Sequence, residues 1–136
     1  MLFIKDIGSA NVKLSLVKLP ALYGFMYAVF ITGVMVAAAL SLVVQHQFSL
    51  PACGDLLFTW TLQWWWLNLV GAALHVLSYA KSLTSKLGMV ANTLGVCVYI
   101  AYALIPNYSP VILVVHLLAL ALLMRSTRRR LVSVEG

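Results

Sequence analysis

Charge is missing from three long stretches of this chain. No Asp, Glu, Lys or Arg lies between Leu19 and Gly54, between Leu56 and Ala80, or between Leu87 and Met124. Nothing else in the sequence limits the fold as severely. A helix rises about 1.5 Å per residue, so about 20 apolar residues cross the hydrocarbon core of a bilayer. Soluble domains carry roughly a quarter charged residues; here the charged share is 9% and the hydrophobic share 63%. In water, a chain of 136 residues would leave most of that apolar surface bare. The bilayer is therefore the expected solvent.

The first stretch holds one span, residues 20–44, and the second holds another, residues 57–80. The third is too long for one crossing. It is interrupted by "IPNYSP", Ile105–Pro110, whose two prolines flank Asn and Ser and read as a turn. That gives a third span at 87–105 and a short fourth at 110–124, whose ends thin the bilayer or rest in the interface. The expected fold class is an all-α integral membrane protein, a four-transmembrane-helix bundle with short loops. Residues 1–18 form a cytoplasmic lead with mixed apolar and basic residues, read as an interfacial helix, and residues 125–136 form a basic tail.

Orientation follows from the cations. With four spans, both termini and the loop after span two share one side. Lys5, Lys13, Lys18, Lys81, Lys86, Arg125, Arg128, Arg129 and Arg130 all fall there. The positive-inside rule makes that side cytoplasmic, which places the chain in the inner (plasma) membrane with both termini in. An odd number of spans would split these residues between the two sides.

Several function classes are disfavoured. The net charge of +6 reads as topology charge at span ends, with "RSTRRR" (125–130) suited to anionic lipid headgroups rather than nucleic acid. The first apolar run is longer than a signal-peptide core and follows an 18-residue lead, so it is read as a retained span. Cys53 lies in the outer loop and Cys97 roughly 13 Å inside span three, too far apart for a disulfide. "LPAC" (50–53) is a poor lipidation box, because polar residues part it from the apolar run. No nucleophile–base pair, carboxylate pair or metal-ligand spacing is visible, so no catalytic residue and no metal is expected.

Two polar seams stand out. Asn68, Gly71, His75 and Ser78 recur at three- and four-residue intervals on span two; Gly88, Asn92, Gly95, Tyr99 and Tyr102 do so on span three. A short loop joins these spans, so they are antiparallel neighbours. Folded about it, His75 is expected to meet Asn92, Gly71 to meet Gly95 or Val96, and Asn68 to meet Tyr99. Glycines allow close approach, and amides and imidazoles bond across the gap. Span one has its own small-residue ladder at Gly33, Ala37 and Ser41, a close-packing face whose partner is span two, span four or another chain. Above the seam, Trp64, Trp65 and Trp66 point in three directions and, with Trp60, form an aromatic collar at the outer boundary. The rival reading of Trp64 and Trp65 is a docking patch for a partner or a quinone-like ring. His116 sits alone among aliphatics in span four and needs a mate from another helix, a ligand or a partner chain. The expectation favours a ligand or partner, with His116→Leu abolishing function but not insertion.

The leading functional expectation is a non-enzymatic subunit that binds another membrane protein. A homo-oligomeric transporter or pore is the alternative, since phage-type lysis pores (holins) are also small, multi-span and basic-tailed. No carboxylate lies in any span, so the mechanism of small multidrug exporters is missing. No cofactor is required; a b-type haem between His75 and His116 is the third reading, although the two differ in depth by roughly 6 Å.

Overall fold

The structure, a computed structural model, describes the backbone of residues 2–135 and the side chains of residues 18–129 and 132. The interfacial character expected of the lead therefore lies outside the described residues, apart from Lys18. Helix α1 runs Leu2–Val44, α2 Leu50–Leu62, α3 Trp65–Lys81, α4 Lys86–Leu104 and α5 Ser109–Glu135, with a 3-10 turn at Pro106–Tyr108 before α5. No strand occurs among the described residues. Three segments are long and apolar enough to cross a membrane: Lys18–Val44, Lys86–Leu104 and Pro106–Arg129.

Two boundaries differ from expectation. The segment read as a single span at 57–80 is split at Gln63–Trp64 into helices of 13 and 17 residues. No Gly or Pro stands at the break. Thr59 and Thr61 each turn their hydroxyl back onto the carbonyl four residues earlier, at 2.9 and 2.7 Å, but Thr32, Thr93 and Thr127 do the same within unbroken helices, so these bonds alone do not set the break. The Trp64 amide then tightens onto the Thr61 carbonyl at 2.9 Å. Helix α2 packs against α1 and the 3-10 turn, and α3, at 17 residues, is not among the three segments long and apolar enough to cross a membrane. The last helix does not stop near Met124. It continues through the basic tail to Glu135, because nothing in "RSTRRRLVSV" (125–134) breaks a helix.

The remaining ends have local causes. Ser49 caps α2 by accepting from the Ala52 amide at 3.2 Å, and Ser85 caps α4 by accepting from Gly88 at 3.1 Å. Pro106 ends α4, since the residue before proline avoids helical geometry. The end of α1 is closed by amide bonds from His46 to Val43 and from Gln47 to Leu42, with His46 at φ 56°. That left-handed position favours glycine. His46→Gly is expected to stabilise the fold by about 1 kcal/mol, read as a higher unfolding midpoint in detergent; a lower midpoint would mean the imidazole makes a stabilising contact there.

Helix α4 lies between α3 and α5, and α1 closes the group against α5 and α3. The close approach of α1 is made at Gly24, where an added Cβ would lie 2.6 Å from Leu120 Cδ2. The face of α1 that packs inward carries Pro20, Gly24, Tyr27, Ile31 and Ala38. The expected ladder does not pack inside the chain: Gly33 and Ala37 are exposed and Ser41 is half-buried. At about 100° per residue, Gly33 lies on the opposite side of α1 from Gly24.

Candidate functional site: a buried polar core

The two seams are real and face each other. Asn68, Gly71, His75 and Ser78 are the buried residues of α3. Gly88, Asn92, Gly95, Tyr99 and Tyr102 are all buried on α4. His75 Nδ1 stands 3.0 Å from Asn92 Oδ1. The Asn92 amide nitrogen donates to the Gly88 carbonyl at 2.9 Å and to Ser82 Oγ at 3.4 Å. With that nitrogen so engaged, the oxygen faces His75, and the imidazole must donate from Nδ1.

The register refines the expected pairs. Gly71 and Gly95 are each filled by a ring from the opposite helix: Tyr99 lies over Gly71, and His75 lies over Gly95. Asn68 bonds not to Tyr99 but to α1, accepting from the Tyr27 hydroxyl at 2.7 Å. Gly88 packs where an added Cβ would meet Ser126 Oγ of α5 at 3.0 Å. Beside it, the hydroxyls of Ser85 and Ser126 stand 3.3 Å apart.

His116 is fully enclosed, with 0% of its surface exposed. Tyr102 of α4 provides a hydroxyl 3.4 Å from His116 Nδ1, the long end of the hydrogen-bond range. The rings of Tyr27, Tyr99 and Tyr102 surround it at centroid distances of 6.1, 5.4 and 5.8 Å. The internal mates are therefore tyrosines from other helices, out of sight in the sequence of its own span. Tyr99 also lies 5.7 Å from His75, so its ring is packed against both imidazoles. Four buried polar atoms have no hydrogen-bond partner among the described residues: His75 Nε2, Ser78 Oγ, Tyr99 Oη and His116 Nε2.

The residues that sequence reasoning missed are on α1. Tyr27 is the hub of the core, in contact with the rings of Tyr23, Phe30, Tyr99, Tyr102 and His116. Tyr23 donates to the Leu67 carbonyl at 2.7 Å. The three- and four-residue spacing of Pro20, Gly24, Tyr27 and Ile31 was a signal of the same kind as the two seams. Trp60, Trp64, Trp65 and Trp66 are all exposed, as a collar requires. Trp64 also packs edge-on to Phe30 at 6.1 Å. Cys53 and Cys97 are free thiols, and no cluster of metal-ligating side chains occurs among the described residues.

Comparison with protein-family models, with curated proteins and with solved structures finds no match.

Proposed function

We propose that this chain is a non-enzymatic subunit or interaction partner of another protein in the inner membrane. The observation that supports this is the internal pairing of its polar core. His75 bonds Asn92, Tyr27 bonds Asn68, and Tyr102 reaches His116, each pair joining two helices. Side chains occupied in this way hold register. Function is then carried by the outer surface, which presents short loops, the tryptophan collar and apolar helix faces. The test is mild-detergent purification of a tagged chain after cross-linking in native membranes. A stoichiometric second membrane protein is expected; a homogeneous monomer with no adduct would count against the reading.

The same purification bears on haem. Axial ligation of one haem by His75 and His116 would displace the Tyr99 ring, which packs against both. No Soret absorption is expected.

A homo-oligomeric transporter or pore is the second reading. Its support is the set of buried polar atoms without partners among the described residues, His75 Nε2, Tyr99 Oη and His116 Nε2, since histidines within a membrane that face the bundle interior mark substrate and proton pathways. Solute or proton flux in proteoliposomes, lost on Tyr99→Phe, would move the reading there.

The proposed topology puts both termini and the α3–α4 loop in the cytoplasm, because all nine Lys and Arg then lie inside. For this, α2 and α3 together make one crossing. Reporter fusions after Lys86 and Gly136 are expected to behave as cytoplasmic and one at Cys53 as external. An external C-terminus would refute the topology.

A further inference from the structure

At the basic ends of α1 and α5, beyond their contact at Gly24 and Leu120, the two helices leave an open groove of ≈ 870 Å³. Its lining includes Lys18, Arg125 and Arg128 together with Leu22, Phe25 and Met124; along α1, Lys18, Leu22 and Phe25 follow one another at four and three residues, so the cation stands at one end and the apolar pair beyond it. Among the described residues, no carboxylate lines it. The apolar residues are well exposed: Leu22 by 58%, Phe25 by 62% and Met124 by 65%. Both flanking segments are candidate spans, Lys18–Val44 and Pro106–Arg129, and the cations stand at or near their ends. Charge and apolar surface are thus ordered along the groove as they are ordered along a phospholipid.

We propose that this groove is a binding site for one anionic phospholipid. The phosphate is held by Lys18, Arg125 and Arg128, and an acyl chain lies along Leu22, Phe25 and Met124. Arginine suits the headgroup because its planar fork pairs with two phosphate oxygens. The apolar part separates this site from a plain cationic patch, which would hold free phosphate as well as it holds lipid. The inference is independent of the proposed partner, since it concerns the α1–α5 groove alone.

The experiment is native mass spectrometry of the full chain in maltoside micelles, titrated with dioctanoyl phosphatidylglycerol. Diffuse attraction to an anionic surface acts alike on each basic residue near it, so it predicts equal loss for any two neutralised cations on this side. Two double variants are compared: Arg125→Gln with Arg128→Gln in the groove, and Lys81→Gln with Lys86→Gln at the α3–α4 loop. One bound lipid is expected for the wild type and for the loop variant at the same apparent Kd. The groove variant is expected to bind at least tenfold more weakly. Phe25→Ser is expected to weaken lipid binding with all cations in place, and dioctanoyl phosphatidylcholine to bind no variant tightly. Equal losses in the two double variants would overturn the proposal in favour of surface charge. Competition by inorganic phosphate at the concentration of the lipid would overturn it in favour of an anion site. Since the substituted side chains line an open groove, helix content by circular dichroism is expected to stay unchanged; a change would be checked against Phe25→Ser, which removes no charge.

Discussion

Gly71→Leu and Gly95→Leu are expected to prevent the helices from assembling, and Gly71→Ala and Gly95→Ala to destabilise them by about 1–3 kcal/mol each. An added Cβ at Gly71 falls on the Tyr99 ring, and one at Gly95 falls on the His75 ring. Neither ring can retreat cheaply, because each is 1% exposed. Tyr99 is packed against Tyr23, Tyr27, His75 and His116. The competing effect is helix propensity, in which alanine exceeds glycine by about 1 kcal/mol. Overpacking against an immobile ring outweighs it at these two sites. At Gly33 nothing lies within 4 Å of an added Cβ, so Gly33→Ala is expected to be neutral or stabilising. Unfolding in mixed detergent micelles reads all of these. The same sign at Gly33 as at Gly71 would show that the ring-over-glycine packing does not exist in the membrane. A loss of partner binding in Gly33→Ala without loss of stability would instead place the partner on the outer face of α1.

Asn92→Leu is expected to cost more than the double change Asn92→Leu with His75→Leu. Asn92 is 0% and His75 1% exposed. Removing Asn92 alone strands Nδ1 of an imidazole whose Nε2 already lacks a partner. A buried polar group left unpaired costs about 1–3 kcal/mol, whereas replacing both members by apolar groups can be nearly neutral. Interhelical bonds in membranes average about 0.6 kcal/mol, and the stranding cost is the larger effect here. A double-mutant cycle measures it; additive losses would show that the two side chains do not interact. His116→Leu is the contrasting case. Its Nε2 has no partner and its Nδ1 only the long contact to Tyr102, so the substitution is expected to preserve stability. Lost function in a stable His116→Leu variant would restore the ligand contact that the sequence of span four suggests.

Much of the fold is legible because solvation acts on each residue by itself. The uncharged stretches between Leu19 and Met124 call for helices in a bilayer, since backbone polar groups there must bond within the segment. The α3 and α4 seams are legible for a related reason: a short loop makes the two helices neighbours, and helical periodicity brings His75 to Asn92. A helix end was legible where it rests on local chemistry, as at Pro106 within the turn "IPNYSP".

Local pattern alone did not decide which face of α1 turns inward, what lies opposite His116, or where the second apolar stretch bends. Gly24 and Gly33 are both glycines on one helix, each with neighbours at helical spacing. Only the shape of α5, with Leu120 and His116 at the contact, selects Gly24. The bend at Trp64 depends on α2 leaving the line of α3 to pack on the 3-10 turn, where an added Cβ on Gly54 would lie 3.3 Å from Asn107 Cβ. Hydropathy is a property of one residue and its solvent, and the sequence determines it directly. The mate of a buried polar atom is a property of two segments far apart in the chain, and packing geometry alone brings Tyr27 to Asn68 and Tyr102 to His116.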